Sequence, residues 1–260
     1  MNLVLLSINN TRSRLLSAQG EDVGEWRDLW AGATPDLGPA HLAQALARSG
    51  IAAASHALVL SSVVPAVVER LAPVLAEFRV IRISAELRLN FSLGDYAGRA
   101  TLGADRIADL AAAADGYALP AVILDLGTAI TVDALDAERR YLGGMIAPGL
   151  RMFTEYLAEK TAQLPRLEAP VEPPSALGQN TEGAIRSGAF YGYAGQCQGL
   201  LEAACRAVPG EGVQSVIVTG GDAALFHSSL AWPGAAVHSV PRLALAGMRL
   251  LGRLNLPTSS

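Results

Sequence analysis

The chain has 260 residues, of which 51% are hydrophobic and 17% charged, with a net charge of −4. There is ample apolar material for one large domain or two of roughly 130 residues each. The slight negative balance gives no electrostatic reason to expect nucleic acid or an anionic membrane as partner. A single lysine, Lys160, stands against nineteen arginines, which we read as a compositional bias of the source.

The opening run Leu3-Val4-Leu5-Leu6 lacks a basic flank and a cleavage site, and it is far too short to span a bilayer. It predicts a buried strand over 3–8. A hairpin partner follows over 13–18, across the turn Asn9-Asn10-Thr11-Arg12, whose residue types tolerate turn geometry. Helical spacing of Leu42, Ala45 and Leu46 predicts a helix over 39–49, stopped by Gly50. A strand over 57–63, a helix over 65–78, a strand over 80–84 and a helix over 103–117 follow. The span 20–37, with Trp26 and Trp30, carries no functional signal, and packing aromatics are the default for it.

The pattern then restarts: a strand over 121–124, the turn Asp125-Leu126-Gly127-Thr128, and strands over 130–135 and 141–146. Helices are predicted over 148–160 and 182–208, a strand over 215–219 opening into Gly220-Gly221, a strand over 237–240 and a closing helix over 241–254 that begins with Pro. Three prolines make 168–174 the likeliest disordered piece. Overlaid at an offset of 118 positions, Leu3 to Thr11 and Ala121 to Ala129 share one plan: buried strand, polar residue, apolar residue, turn pair, second strand. This indicates a duplicated α/β domain, with halves at 1–118 and 119–260. Cys197 and Cys205 fall on one helix with Cα atoms about 12 Å apart, too far for a disulfide, and reduced thiols fit a cytoplasmic protein.

Several residues can carry chemistry. In the Asp125–Thr128 turn the carboxylate can hold a cation, glycine lets backbone approach phosphate oxygens, and the threonine and amides can donate to them. An ordinary Asp-Gly turn with a capping Thr has the same spacing. Asp133, on the returning strand, either faces the same cleft or is solvated. Leu102-Gly103-Ala104-Asp105-Arg106 puts an acid in the first turn of a helix, where the dipole alone would favour it; a functional alternative makes Asp105 a proton acceptor and Arg106 an anion clamp. A P-loop is excluded, since the one lysine lies in Glu159-Lys160-Thr161. The histidines His41, His56, His227 and His238 lack zinc-ligand spacing.

These segments resemble the type III pantothenate kinase family. Asp125 to Asp133 and Tyr141 to Leu150 look like its second phosphate motif and the stretch after it. Gly103-Ala104-Asp105-Arg106 matches its Gly-x-Asp-Arg segment, and Asn180-Thr181-Glu182-Gly183-Ala184-Ile185 and Val218-Thr219-Gly220-Gly221-Asp222 occur in the family's order. The resemblance implies two ribonuclease-H-like, actin-like halves with a nucleotide cleft between them. It also implies a homodimer that transfers the ATP γ-phosphoryl group to pantothenate, giving 4′-phosphopantothenate in the first step of coenzyme A synthesis, with Mg²⁺ and a monovalent cation, K⁺ or NH₄⁺. Carried over by motif, Asp105 is the general base. Tyr96, Gly103, Ala104, Arg106 and Thr181 hold pantothenate. Asp125 binds the monovalent cation, and Ser7, Asn9, Asn10, Thr11 and Thr128 contact ATP.

The first phosphate motif departs from the family. Where the family has Asp-x-Gly-Asn-Thr, this chain reads Ser7-Ile8-Asn9-Asn10-Thr11. A hydroxyl is a weaker Mg²⁺ partner than a carboxylate, while Asn at position 9 tolerates left-handed turn geometry. Three readings stay open on the sequence: a working pantothenate kinase, a homologue without phosphoryl transfer that binds a ligand as a regulator, and a kinase for another hydroxylated acceptor.

Overall fold

Six consecutive buried positions, Leu3 to Ile8, make β1 (Asn2–Ile8) a strand covered on both faces, as a central strand must be. In the computed structural model, which describes residues 1–18 and 26–257, it pairs antiparallel with β2 (Arg12–Ser17) and parallel with β4 (His56–Ser62). β3 (Arg27–Ala33) flanks β2, and β5 (Arg79–Arg82) flanks β4, giving the order β3-β2-β1-β4-β5. Of the span with no functional reading, 20–25 lies outside the described residues, and 27–33 is this third strand. Its polar, half-exposed positions hide the alternation that marks a strand.

The second sheet repeats that plan. β6 (Ala121–Leu126) pairs antiparallel with β7 (Ala129–Leu135), which pairs with β8 (Tyr141–Pro148). On its other side β6 runs parallel to β9 (Ser215–Thr219), which pairs with β10 (Ala236–Ser239). The order β8-β7-β6-β9-β10 matches the first sheet strand for strand, so the duplication extends to the topology.

Helices cover both sheets. In the first unit α1 (Pro39–Arg48) and α2 (Pro65–Leu75) bury Leu42, Leu46, Val67, Val68 and Leu71 against Val4, Leu6, Leu58 and Leu60. In the second, α5 (Thr181–Ala207) sends Ile185, Ala189, Phe190, Tyr193, Cys197 and Leu201 inward at helical spacing. Both cysteines are buried on this helix and free. α4 (Leu150–Lys160) and the short α6 (Ala223–Phe226) complete that unit, while 168–174 carries neither helix nor strand. Among the described residues no helix is long and apolar enough to cross a membrane.

The chain divides into two compact units, Met1–Gly116 with Arg242–Ser260, and Tyr117–Pro241. The closing helix α7 (Leu243–Leu254) is grouped with the first of these units. It packs on α3 (Ala104–Gly116), β1 and β4. Gly247 lies against the carbonyl of Ala108, with no room for a side chain, and Gly252 against Leu3 and Val59. In the same unit the Arg249 guanidinium stands 5.7 Å from the ring centroid of buried Trp26.

Candidate active site

In the first unit, β1 and β4 end side by side, with Ile8 opposite Ser62 in a parallel register. Open α/β sheets bind ligands at this end. The β1–β2 turn occupies 9–12, between the paired residues Ile8 and Ser13. Ser7 is buried just before it, while Asn9, Asn10 and Thr11 are exposed. Asn9 does not adopt a left-handed backbone, since Arg139 is the one non-glycine residue with positive φ among those described. The expected use of Asn for its left-handed tolerance is therefore not how the turn accommodates it.

The turn is held from behind. Thr34, 2% exposed at the end of β3, donates its hydroxyl to the Asn9 carbonyl at 2.6 Å. Its amide donates to the Thr11 carbonyl at 3.0 Å.

At the same sheet end α3 begins. Asp105 sits in its first turn and accepts from the Arg106 amide at 2.8 Å. A Cβ on Gly103 would come within 2.5 Å of the Asp105 carboxylate, so this glycine is needed for the carboxylate to fold back over the helix start. Arg106 is 9% exposed and is engaged within the chain. Tyr96 lies with its ring over Gly98, where an added Cβ would stand 2.9 Å from it. A cavity of about 620 Å³ opens beside Gly103 and Ala104, lined also by Ser62, Glu86 and Arg99. The unit thus brings the first turn and the Gly103–Ala104 segment to one end of one sheet.

In the second unit, the β6–β7 turn occupies 127–129, between Leu126 and Ile130, one residue shorter than its counterpart. Counted back from the returning strands, Thr11 matches Thr128; counted from the leading strands, Asn10 does. Asp125 is half-buried and Thr128 exposed. Two glycines absent from the expected site clamp this turn. The Gly149 amide donates to the Thr128 carbonyl at 3.2 Å, and a Cβ on Gly149 would collide with the carbonyl oxygens of Gly127 and Thr128. Gly220, at φ +95°, lies against the Asp125 carboxylate and the Leu126 backbone so closely that no side chain fits. The next turn adds a bond from the Asp222 amide to the Leu126 carbonyl, 3.0 Å. Their sequence signal was a glycine directly after a strand.

Asp133 neither faces a cleft nor is solvated: it is 2% exposed and accepts from the Tyr141 hydroxyl at 2.8 Å. Burial raises the Asp222 carboxyl above its ordinary range, and Arg151 offsets this in part. Both residues line a cavity of about 780 Å³ with Gly221 and Arg166. Thr181 opens α5 and is exposed, and the preceding Asn180 caps the helix by accepting from the Gly183 amide at 2.8 Å.

Among the described residues no three His, Cys, Asp or Glu side chains cluster to hold a metal on their own. Asp125, a half-buried carboxylate beside the β6–β7 turn, fits a hard cation whose remaining ligands are phosphate oxygens and water.

Residues 4–203 match the family described as type III pantothenate kinase. A curated type III pantothenate kinase from Akkermansia muciniphila is 35% identical over 258 residues, covering 98% of this chain and 100% of its own length. One from Chlorobium luteolum is 37% identical over 268 aligned positions, covering 99% and 96%. Among solved structures, an archaeal actin homolog superposes with a TM-score of 0.52 at 14% identity, covering 97% of this chain and 99% of its own, which supports an actin-like fold for the two repeated sheets. On the family match and these near-full-length relatives, the chain belongs to the type III pantothenate kinase family.

Proposed function

We propose that this chain transfers the γ-phosphoryl group of ATP to the hydroxyl of pantothenate, giving 4′-phosphopantothenate and ADP, in the first step of coenzyme A synthesis. The observation that carries this is the Gly103–Asp105 arrangement at the start of α3, in a chain that pantothenate kinases match over nearly its whole length. Phosphoryl transfer asks a protein mainly for alignment and for neutralising charge. Asp105, its carboxylate turned back over Gly103, takes the hydroxyl proton as the oxygen bonds to the γ-phosphorus and the bond to the ADP oxygen breaks. Tyr96, Gly103, Ala104, Arg106 and Thr181 position pantothenate, and Arg106 is suited to its carboxylate. The two strand turns, through Ser7, Asn9, Asn10, Thr11 and Thr128, donate to ATP oxygens. Asp125 would hold the monovalent cation, K⁺ or NH₄⁺, and Mg²⁺ would sit mainly on the ATP oxygens; when bound, these cations neutralise phosphate charge.

A homodimer is part of the same reading. The second unit exposes Leu142, Ile146, Met152, Tyr156 and Tyr191, apolar surface that a second copy could cover. Two unpaired buried thiols fit a cytoplasmic setting.

The test is ADP release by the purified protein with Mg·ATP and K⁺, with and without pantothenate. Pantothenate-dependent release is expected. Asp105→Asn is expected to lower kcat by roughly 10²–10⁴, with pantothenate affinity by calorimetry almost unchanged. Full turnover by that variant would remove Asp105 as the base.

A further inference from the structure

We infer that Thr34 is a positioning residue for nucleotide binding, acting through the first strand turn; this rests on the function proposed above. Thr34 is buried and takes part in a directed chain of bonds. Its single hydroxyl proton goes to the Asn9 carbonyl at 2.6 Å, so the Ser13 hydroxyl, 2.8 Å away and buried, must donate to the Thr34 oxygen. The Thr34 amide holds the Thr11 carbonyl at 3.0 Å. One residue therefore grips the turn at two carbonyls and locks the strand behind it through a third bond.

Thr34 is itself anchored. Arg70, on α2, donates Nη2 to the Leu37 carbonyl at 2.7 Å and reaches the Pro35 and Thr34 carbonyls at 3.3 and 3.4 Å. That clamps the single 3₁₀ turn Thr34–Asp36 that follows β3.

The internal repeat supplies an independent argument. β3 in the first sheet corresponds to β8 in the second. The residue just after β8, Gly149, donates its amide to the Thr128 carbonyl at 3.2 Å, as Thr34 does to Thr11. Thr11 and Thr128 correspond when counted from the returning strands. The same backbone bond thus recurs at the equivalent place in both units, but at that residue Thr34 has a hydroxyl to add a second bond and Gly149 has no side chain. Thr34 does so in the turn that carries Asn9, next to Ser7, where hydrogen bonds to two carbonyls take the place of tight glycine packing in fixing the turn.

The test uses the full chain and the variants Thr34→Val, which keeps shape and removes both hydroxyl bonds, and Thr34→Ser, which restores them. Thr34→Val is expected to raise KM for Mg·ATP roughly tenfold and weaken Mg·ADP binding alike, with KM for pantothenate within about twofold. Thr34→Ser is expected to recover most of the loss. Should Thr34→Val fail to fold, Ser13→Ala removes one link of the chain and is expected to shift ATP KM the same way by roughly threefold. Parallel loss for both substrates, or unchanged Mg·ADP affinity, would overturn the inference. A parent chain that binds Mg·ADP but does not turn over pantothenate would remove the function reading alone, and the parent–variant difference in Mg·ADP affinity would still decide the role of Thr34. A parent that binds no nucleotide would overturn both.

Discussion

The β1–β2 and β6–β7 turns occupy equivalent places in the two units, yet they are held by different physics. The second is wedged: Gly149 and Gly220 press on Gly127, Thr128, Asp125 and Leu126 with no space for a Cβ. The first is tied: Thr34 holds it through a side-chain hydroxyl and an amide, and the turn is one residue longer. A wedged turn fixes the identity of the glycines that wedge it, because close packing has no slack. A tied turn transfers the demand to the residue that does the tying and leaves its own positions freer.

The largest test of the contrast is Gly149→Ala. A methyl driven into two carbonyl oxygens is expected to cost about 2–3 kcal/mol, read as a lower urea midpoint. Gly127→Ala, in the same turn, is expected to leave stability within about 1 kcal/mol. Its Cβ would meet the Ala129 carbonyl and the Asp125 carboxylate at 3.6 Å, an ordinary contact, and Gly127 is not left-handed. Equal losses from both substitutions would break the wedge account.

Ser7→Asp sharpens the other side. It restores the family's carboxylate beside the tied turn, and kcat/KM for Mg·ATP is expected to rise roughly tenfold, by analogy with single groups that stabilise transition-state charge. No change in either kcat or KM would mean that position 7 does not face the metal.

The smallest effect belongs to a control at the opposite end of β7 from the second turn. Asp136 is 4% exposed, accepts from the amides of Glu138 and Arg140, and pairs with Arg140 Nε at 2.7 Å. Burial pushes its carboxyl up, but these bonds outweigh burial and hold it below the usual range. A lowered folded value means that the stabilisation is fully present above the ordinary carboxylate range and fades as pH falls through the lowered one. Asp136→Asn is expected to cost about 1 kcal/mol at pH 7 and to converge with the parent in strong acid, with KM for both substrates unchanged. A shift in ATP KM would show that general destabilisation mimics loss of a turn.

The strands and long helices were legible because continuous apolar runs and helical spacing are local signals. β3 was not, since its exposed and half-exposed side chains, Arg27 and Asp28 among them, show no alternation. The motif residues proposed for the site come from family resemblance. The clamps were not, because Thr34, Gly149 and Gly220 act through contacts with carbonyls distant in sequence. Asp133 was misplaced for the same reason: only the neighbouring strand reveals the Tyr141 hydroxyl that donates to it. The grouping of α7 with the first unit likewise depends on Gly247 meeting Ala108, a contact invisible to periodicity.

That last contact has a consequence for how the protein is made. The second unit is one unbroken stretch, whereas the first is closed by a helix synthesised after the whole of the second. At ordinary translation speed the ribosome spends on the order of ten seconds between α3 and α7. Through that interval Leu3 and Val59 lack the helix that lies against them, and the Ala108 face of α3 lacks its cover. The nascent chain therefore carries its earliest-made sheet half-dressed until α7 emerges, a window in which its bare apolar surface is open to aggregation.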